Sequence, residues 1–137
     1  MRFNPVSALV AGIAFYAVQS VWYIALGSAW QAASGVTVPT AHPTPMPFII
    51  AFVVALIVGF VVETALHDTK DPSPPTHGLK FGLFFGVGIF ALNLLVEHQF
   101  EQKPFALTLI DGGAVVVCLM VAGLVVGFFH RNNPKLV

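Results

Sequence analysis

Four long apolar stretches, each ended by prolines or charges, constrain this chain more than any other feature. They run from about Val6 to Leu26, Phe48 to Leu66, Leu79 to Val96 and Phe105 to Phe129. About 20 apolar residues in a helix cross a hydrocarbon core about 30 Å thick. A single chain segment in lipid must also satisfy its own backbone polar groups, which a helix does. Each stretch therefore reads as a membrane-spanning helix.

Composition agrees. Hydrophobic residues make up 57% of the chain and charged residues 9%. A soluble domain carries about 25% charged residues. Lipid solvation removes the need for a charged surface. The expected fold is all-α: a four-helix transmembrane bundle forming one domain over all 137 residues. Four spans in so short a chain leave no room for a soluble domain.

The connections fit this division. Ser34 to Pro47 contains Pro39, Pro43, Pro45 and Pro47, a composition that favours an extended loop. His67 to His77 holds Asp68, Lys70, Asp71, Pro72, Pro74 and Pro75, a polar turn. Glu97 to Pro104 is a short charged turn, with Pro104 suited to opening the next helix. Arg2 with the first apolar run and Gly27-Ser28-Ala29 resembles a signal peptide, but the run is long for a signal's apolar core.

Charge sets orientation. Arg2, Lys70, Lys80, Arg131 and Lys135 fall on one side of a four-span layout, and only Lys103 on the other. The positive-inside rule then puts both termini in the cytoplasm. Net charge is zero and no basic stripe is present, so nucleic acid is excluded as a partner. The single cysteine, Cys118, lies in an apolar run and reads as a buried, inert thiol.

Lipid provides no hydrophobic drive for helix association, and close approach across small residues replaces it. Residues four apart share a helix face. Ala8 and Gly12 mark such a row on the first span, and Ala55 and Gly59 on the second. Gly78, Gly82 and Gly86 mark the third, and Gly123 and Gly127 the fourth. These rows are expected to pack the bundle internally. The competing reading assigns one of them to a homo-oligomer or a partner helix. Phe84, Phe85 and Phe90 face lipid or fill the bundle.

Ionisable groups inside a membrane are costly and mark candidate sites. Gln19, Tyr23, Asn93 and Asp111 lie at similar depth in the outer half of their spans. They form either a polar pocket with Asp111 as a proton or cation site, or a hydrogen-bonded clamp. The clamp is favoured, because one carboxylate with amides and a phenol is thin for catalysis. Glu63, near the inner end of the second span, is expected to snorkel to the interface, with cation binding or pairing with Lys80 or Arg131 as the alternatives. Trp22, Tyr23 and Trp30 read as interfacial anchors.

Glu97, His98 and Glu101 gather at the outer surface, and His67, Asp68 and His77 at the inner one. Neither group has metal-ligand spacing, and both read as solvated loops. No GxSxG, phosphate loop or Ser/His/Asp grouping is present. Neither a catalytic residue nor a metal or cofactor is expected.

Several motifs carry a resemblance. Trp22-Tyr23 is followed by Leu26-Gly27-Ser28-Ala29-Trp30. The third span ends in Asn93-Leu94-Leu95-Val96-Glu97, then Phe100-Glu101 and Lys103-Pro104. The fourth opens with Leu109-Ile110-Asp111-Gly112-Gly113. In this order the chain resembles the domain-of-unknown-function 1761 family of small four-span bacterial membrane proteins. The resemblance implies the bacterial inner membrane and brings no activity, cofactor or catalytic residue. The family usually has asparagine where Asp111 stands, which implies a clamp. The proline-rich outer loop is atypical of it. Two functions are expected to compete. One is a non-catalytic accessory or structural subunit, packed against itself or a larger membrane complex among membrane lipids. The other is a small oligomeric transporter or channel using Asp111.

Overall fold

Proline opens every long helix. The computed structural model describes residues 3–37, 44–68 and 73–131. The first helix, Pro5–Ser34, has Pro5 in its first turn, and Asn4 caps it by accepting from the Val6 and Ser7 amides. The second, Met46–Leu66, has Pro47 in its first turn. The third, Pro74–Phe100, begins with two prolines. The fourth, Phe105–Arg131, follows Pro104. A proline's fixed φ and missing N–H suit the first turn, whose amides lack helical acceptors. Each of the four helices is long and apolar enough to cross a membrane. Among the described residues there is no strand.

Two helices run past the sequence expectation. The first continues through Gly27-Ser28-Ala29 to Ser34, where Gly35 at φ 73° ends it and its amide donates to the Gln31 carbonyl. At about 1.5 Å per residue this helix is roughly 45 Å long, so it tilts or projects beyond the hydrocarbon. The third starts at Pro74, within the segment expected to be a polar turn, and runs on to Phe100. It holds a π-helical segment, Gly86–Ala91, and Asn93 donates from its side chain to the Ile89 carbonyl there. Of the residues used above for orientation and loop composition, Arg2, Pro39, Pro43, Lys70, Asp71, Pro72 and Lys135 lie outside the described residues.

The fourth span is the hub. It packs along the third and the first and also meets the second, while the first and second pack together. The third makes no substantial contact with the first or second. Antiparallel neighbours put the start of the first helix and the end of the fourth on one side, called here the terminal side. The Pro104 turn and the Gly35 helix end lie opposite.

Small residues set both tight crossings. A Cβ on Gly12 would stand 2.8 Å from the Ala55 carbonyl oxygen and the Leu56 Cα. One on Gly59 would collide with the Ala8 carbonyl and the Gly12 backbone. In the other pair, Gly78 and Gly123 face each other backbone to backbone, Gly82 meets Leu119, and Gly127 meets Pro74 and Pro75. Gly86 lies against Val116. These rows are spent on contacts within the chain. Phe84 is mostly exposed, and Phe85 and Phe90 are exposed as well, as lipid-facing residues are.

Candidate functional site

Two clusters, each pairing a carboxylate with a histidine, sit at opposite ends of the bundle. Both draw on the first and fourth spans.

On the terminal side, Glu63 is fully buried. Its Oε1 accepts from the Asn4 backbone N–H at 2.9 Å and lies 3.0 Å from His130 Nε2. Its Oε2 accepts from Ser7 Oγ at 2.7 Å. Ser7 and His130 are themselves buried. The expectation that Glu63 snorkels or pairs with Lys80 or Arg131 is therefore corrected. The carboxylate turns inward, because three donors from two other helices meet it there. A buried carboxylate without such donors would cost several kcal/mol, on the order of the penalty for burying an unpaired ion.

The order of groups in this cluster differs from that of a catalytic triad. In a catalytic triad the imidazole stands between hydroxyl and carboxylate. Here the carboxylate stands between hydroxyl and imidazole, and Ser7 donates its hydrogen bond to Glu63.

On the opposite side, consecutive aromatics of the first span grip consecutive residues of the fourth. Trp22 Nε1 donates to the Ile110 carbonyl at 3.0 Å, and Tyr23 Oη donates to Asp111 Oδ1 at 2.7 Å. Gly113 makes room for the indole: a Cβ there would stand 2.9 Å from the Trp22 ring. Trp22 and Tyr23 thus bind the fourth span. Tyr23 also packs edge-on against Trp30.

His98 completes the group. Its Nδ1 lies 2.9 Å from Thr108 Oγ1, and its Nε2 lies 3.8 Å from Asp111 Oδ2. The second distance is too long for a hydrogen bond and leaves an electrostatic contact. A proton on Nε2 would face the carboxylate, with Thr108 donating to Nδ1. The solvated-loop reading of His98 is corrected, because His98 is buried while Glu97 and Glu101 point outward.

The turn explains the difference. Gln102 adopts φ 57°, its amide donates to the Gln99 carbonyl, and the Lys103 amide donates to the His98 carbonyl. This is a Schellman closure with glutamine in the left-handed position. It folds the third span back so that His98 meets Thr108 on the next helix. Lys103 Nζ then donates to the Ser34 carbonyl, capping the first span.

Of the four residues expected to meet here, the structure joins Tyr23 and Asp111. Gln19 is half-buried on the first span without a bond to them. Asn93 is exposed and bonds its own helix. Sequence reading joined none of His98, Thr108, Ser7 and His130 to these clusters, and it put His98 in a solvated loop. The spacing of His98 and Asp111 across a short turn was the available signal for the first. Ser7 and His130 had none, since their partner Glu63 lies on a third helix.

Between the clusters the interior is apolar. Ala11 and Phe15 of the first span, Ala55 of the second, and Cys118, Leu119 and Ala122 of the fourth fill it. Among the described residues no three His, Cys, Asp or Glu side chains are grouped to hold a metal ion.

The family model described as a protein of unknown function (DUF1761) matches residues 6–127, and the chain belongs to that family. No curated protein and no solved structure matches the chain.

Proposed function

We propose that this member of the DUF1761 family is a non-catalytic accessory or structural subunit embedded in a membrane, packing against itself or a larger membrane complex. One observation carries the reading. The polar groups at both ends are bonded to each other, and apolar side chains fill the space between them. Among the described residues, that apolar filling argues against an aqueous route through the bundle. Its polar residues hold helices in register, as interhelical hydrogen bonds do in lipid. Mild-detergent purification from the native membrane tests this. A stable oligomer or a co-eluting membrane protein is expected. A lone monomer would defeat the reading.

The proposal includes the bacterial cytoplasmic membrane, with both termini inside. Lys80 and Arg131 on the terminal side and Lys103 opposite support that orientation through the positive-inside rule. An impermeant amine reagent applied to intact cells should label Lys103 ahead of Lys80. The reverse order would overturn the orientation.

A second reading keeps a specific observation. The Asp111 side chain is 18% exposed beside His98, so this carboxylate is reachable where Glu63 is not. In an oligomeric transporter it would be a proton or cation site. Asp111→Asn separates the two. A variant that folds and assembles but loses a proton-coupled flux would favour transport.

A further inference from the structure

We propose that the third span docks against the third span of a second copy of this chain, through paired Asn93 side chains. This rests on the subunit reading above and names its partner. Asn93 is exposed, on a helix whose substantial partner within the chain is the fourth span. It stands four residues before Glu97 and seven before the helix end at Phe100, about 10 Å along the axis. Its amide therefore lies below the charged turn. Ile89 and Val96, one turn away on either side, are 47% and 55% exposed. An amide on an apolar, lipid-facing surface is costly unless its donors and acceptor are bonded.

The hydrogen-bond inventory of Asn93 selects the partner. One amide hydrogen goes to the Ile89 carbonyl in the π-helical segment. One N–H and the Oδ1 have no partner among the described residues. An asparagine carries two donors and one carbonyl acceptor, so what is left is one of each on the same planar group. That pair is complementary to itself. Across a two-fold axis each Asn93 donates its second N–H to the other's Oδ1. A two-fold interface sets the same patch against itself, which supplies the match by symmetry. A different protein would have to bring a donor and an acceptor at the same depth.

Cysteine cross-linking of the full chain in its membrane tests this, in a Cys118→Ala background. Val96→Cys lies on the proposed face, and Val53→Cys on the exposed surface of the second span. Oxidation should yield a disulfide dimer through Val96→Cys and little through Val53→Cys. Adding Asn93→Leu should lower the dimer-to-monomer ratio about 3- to 10-fold, the range for one or two interhelical hydrogen bonds in lipid. If that variant misfolds, the contrast between Val96→Cys and Val53→Cys still decides. Equal cross-linking at both positions, or none at Val96→Cys, would overturn the Asn93 interface. Co-purification with another membrane protein would then leave the subunit reading standing, whereas a lone monomer would defeat both.

Discussion

The Glu63 carboxylate and the His130 imidazole, 67 residues apart in sequence, meet at 3.0 Å in a fully buried contact. They join the end of the second helix to the end of the fourth. Ser7 and the Asn4 amide bring the start of the first helix to the same carboxylate.

Removing the imidazole should hurt. His130→Ala strips one of three donors from a buried carboxylate, and losing a hydrogen bond to a carboxylate costs about 1.5–3 kcal/mol. Cys118 is buried and is the only cysteine, so its reaction with a thiol dye reports unfolding. The dye should react at lower temperature in His130→Ala. Unchanged melting would show that the pair contributes little.

The opposite cluster should be weaker but coupled. Tyr23→Phe removes a single hydrogen bond to Asp111, worth about 1 kcal/mol. A double-mutant cycle with Asp111→Ala should show an interaction energy of about that size. Gln19→Leu should couple to Asp111→Ala by nearly nothing. Equal coupling of Gln19 and Tyr23 would mean that the hydroxyl bond is not the link.

Glycines divide by what faces them. Gly82→Ala and Gly59→Ala drive a methyl into a neighbouring backbone, with losses of about 1–3 kcal/mol or more. Gly88 and Gly27 have open space around the Cβ position. Gly27→Ala lies in a regular helix and should gain up to about 1 kcal/mol from helix propensity. Thermal unfolding in detergent would check both signs. A loss at Gly27→Ala would contradict the open environment.

The turn after the third span should improve with glycine. Gln102 holds a left-handed conformation that costs a side-chain-bearing residue about 1 kcal/mol. Gln102→Gly should therefore raise stability by about 0.5–1 kcal/mol. A fall would show that the Gln102 side chain makes a contact worth more than the strain.

Much of this molecule is legible residue by residue. Apolar length marks the four helices, because lipid demands about 20 such residues per crossing. Pro104 marks the start of the fourth, because proline suits a first turn, whereas Pro74, read as part of a polar turn, opens the third helix in the structure. Gly12, Gly59, Gly82 and Gly123 mark contact faces, because only small residues let backbones meet. The far end of the first helix was less legible. Gly27-Ser28-Ala29 looked like an ending, yet the break falls at Gly35, where the backbone turns left-handed.

Partnership was hidden. Sequence gives a residue's depth along its own helix but not which helix stands beside it. Asn93 has the right depth to meet Asp111, yet it faces away, while His98, five residues later, faces in. Glu63 reads as an interfacial carboxylate from depth alone, and only the packed neighbours, Ser7 and His130, turn it inward. The sequence by itself determined how many times the chain can cross lipid and which faces can touch, because both follow from local composition. The tertiary structure alone decided which polar groups bond to one another, because that depends on the rotation and adjacency of helices far apart in the chain.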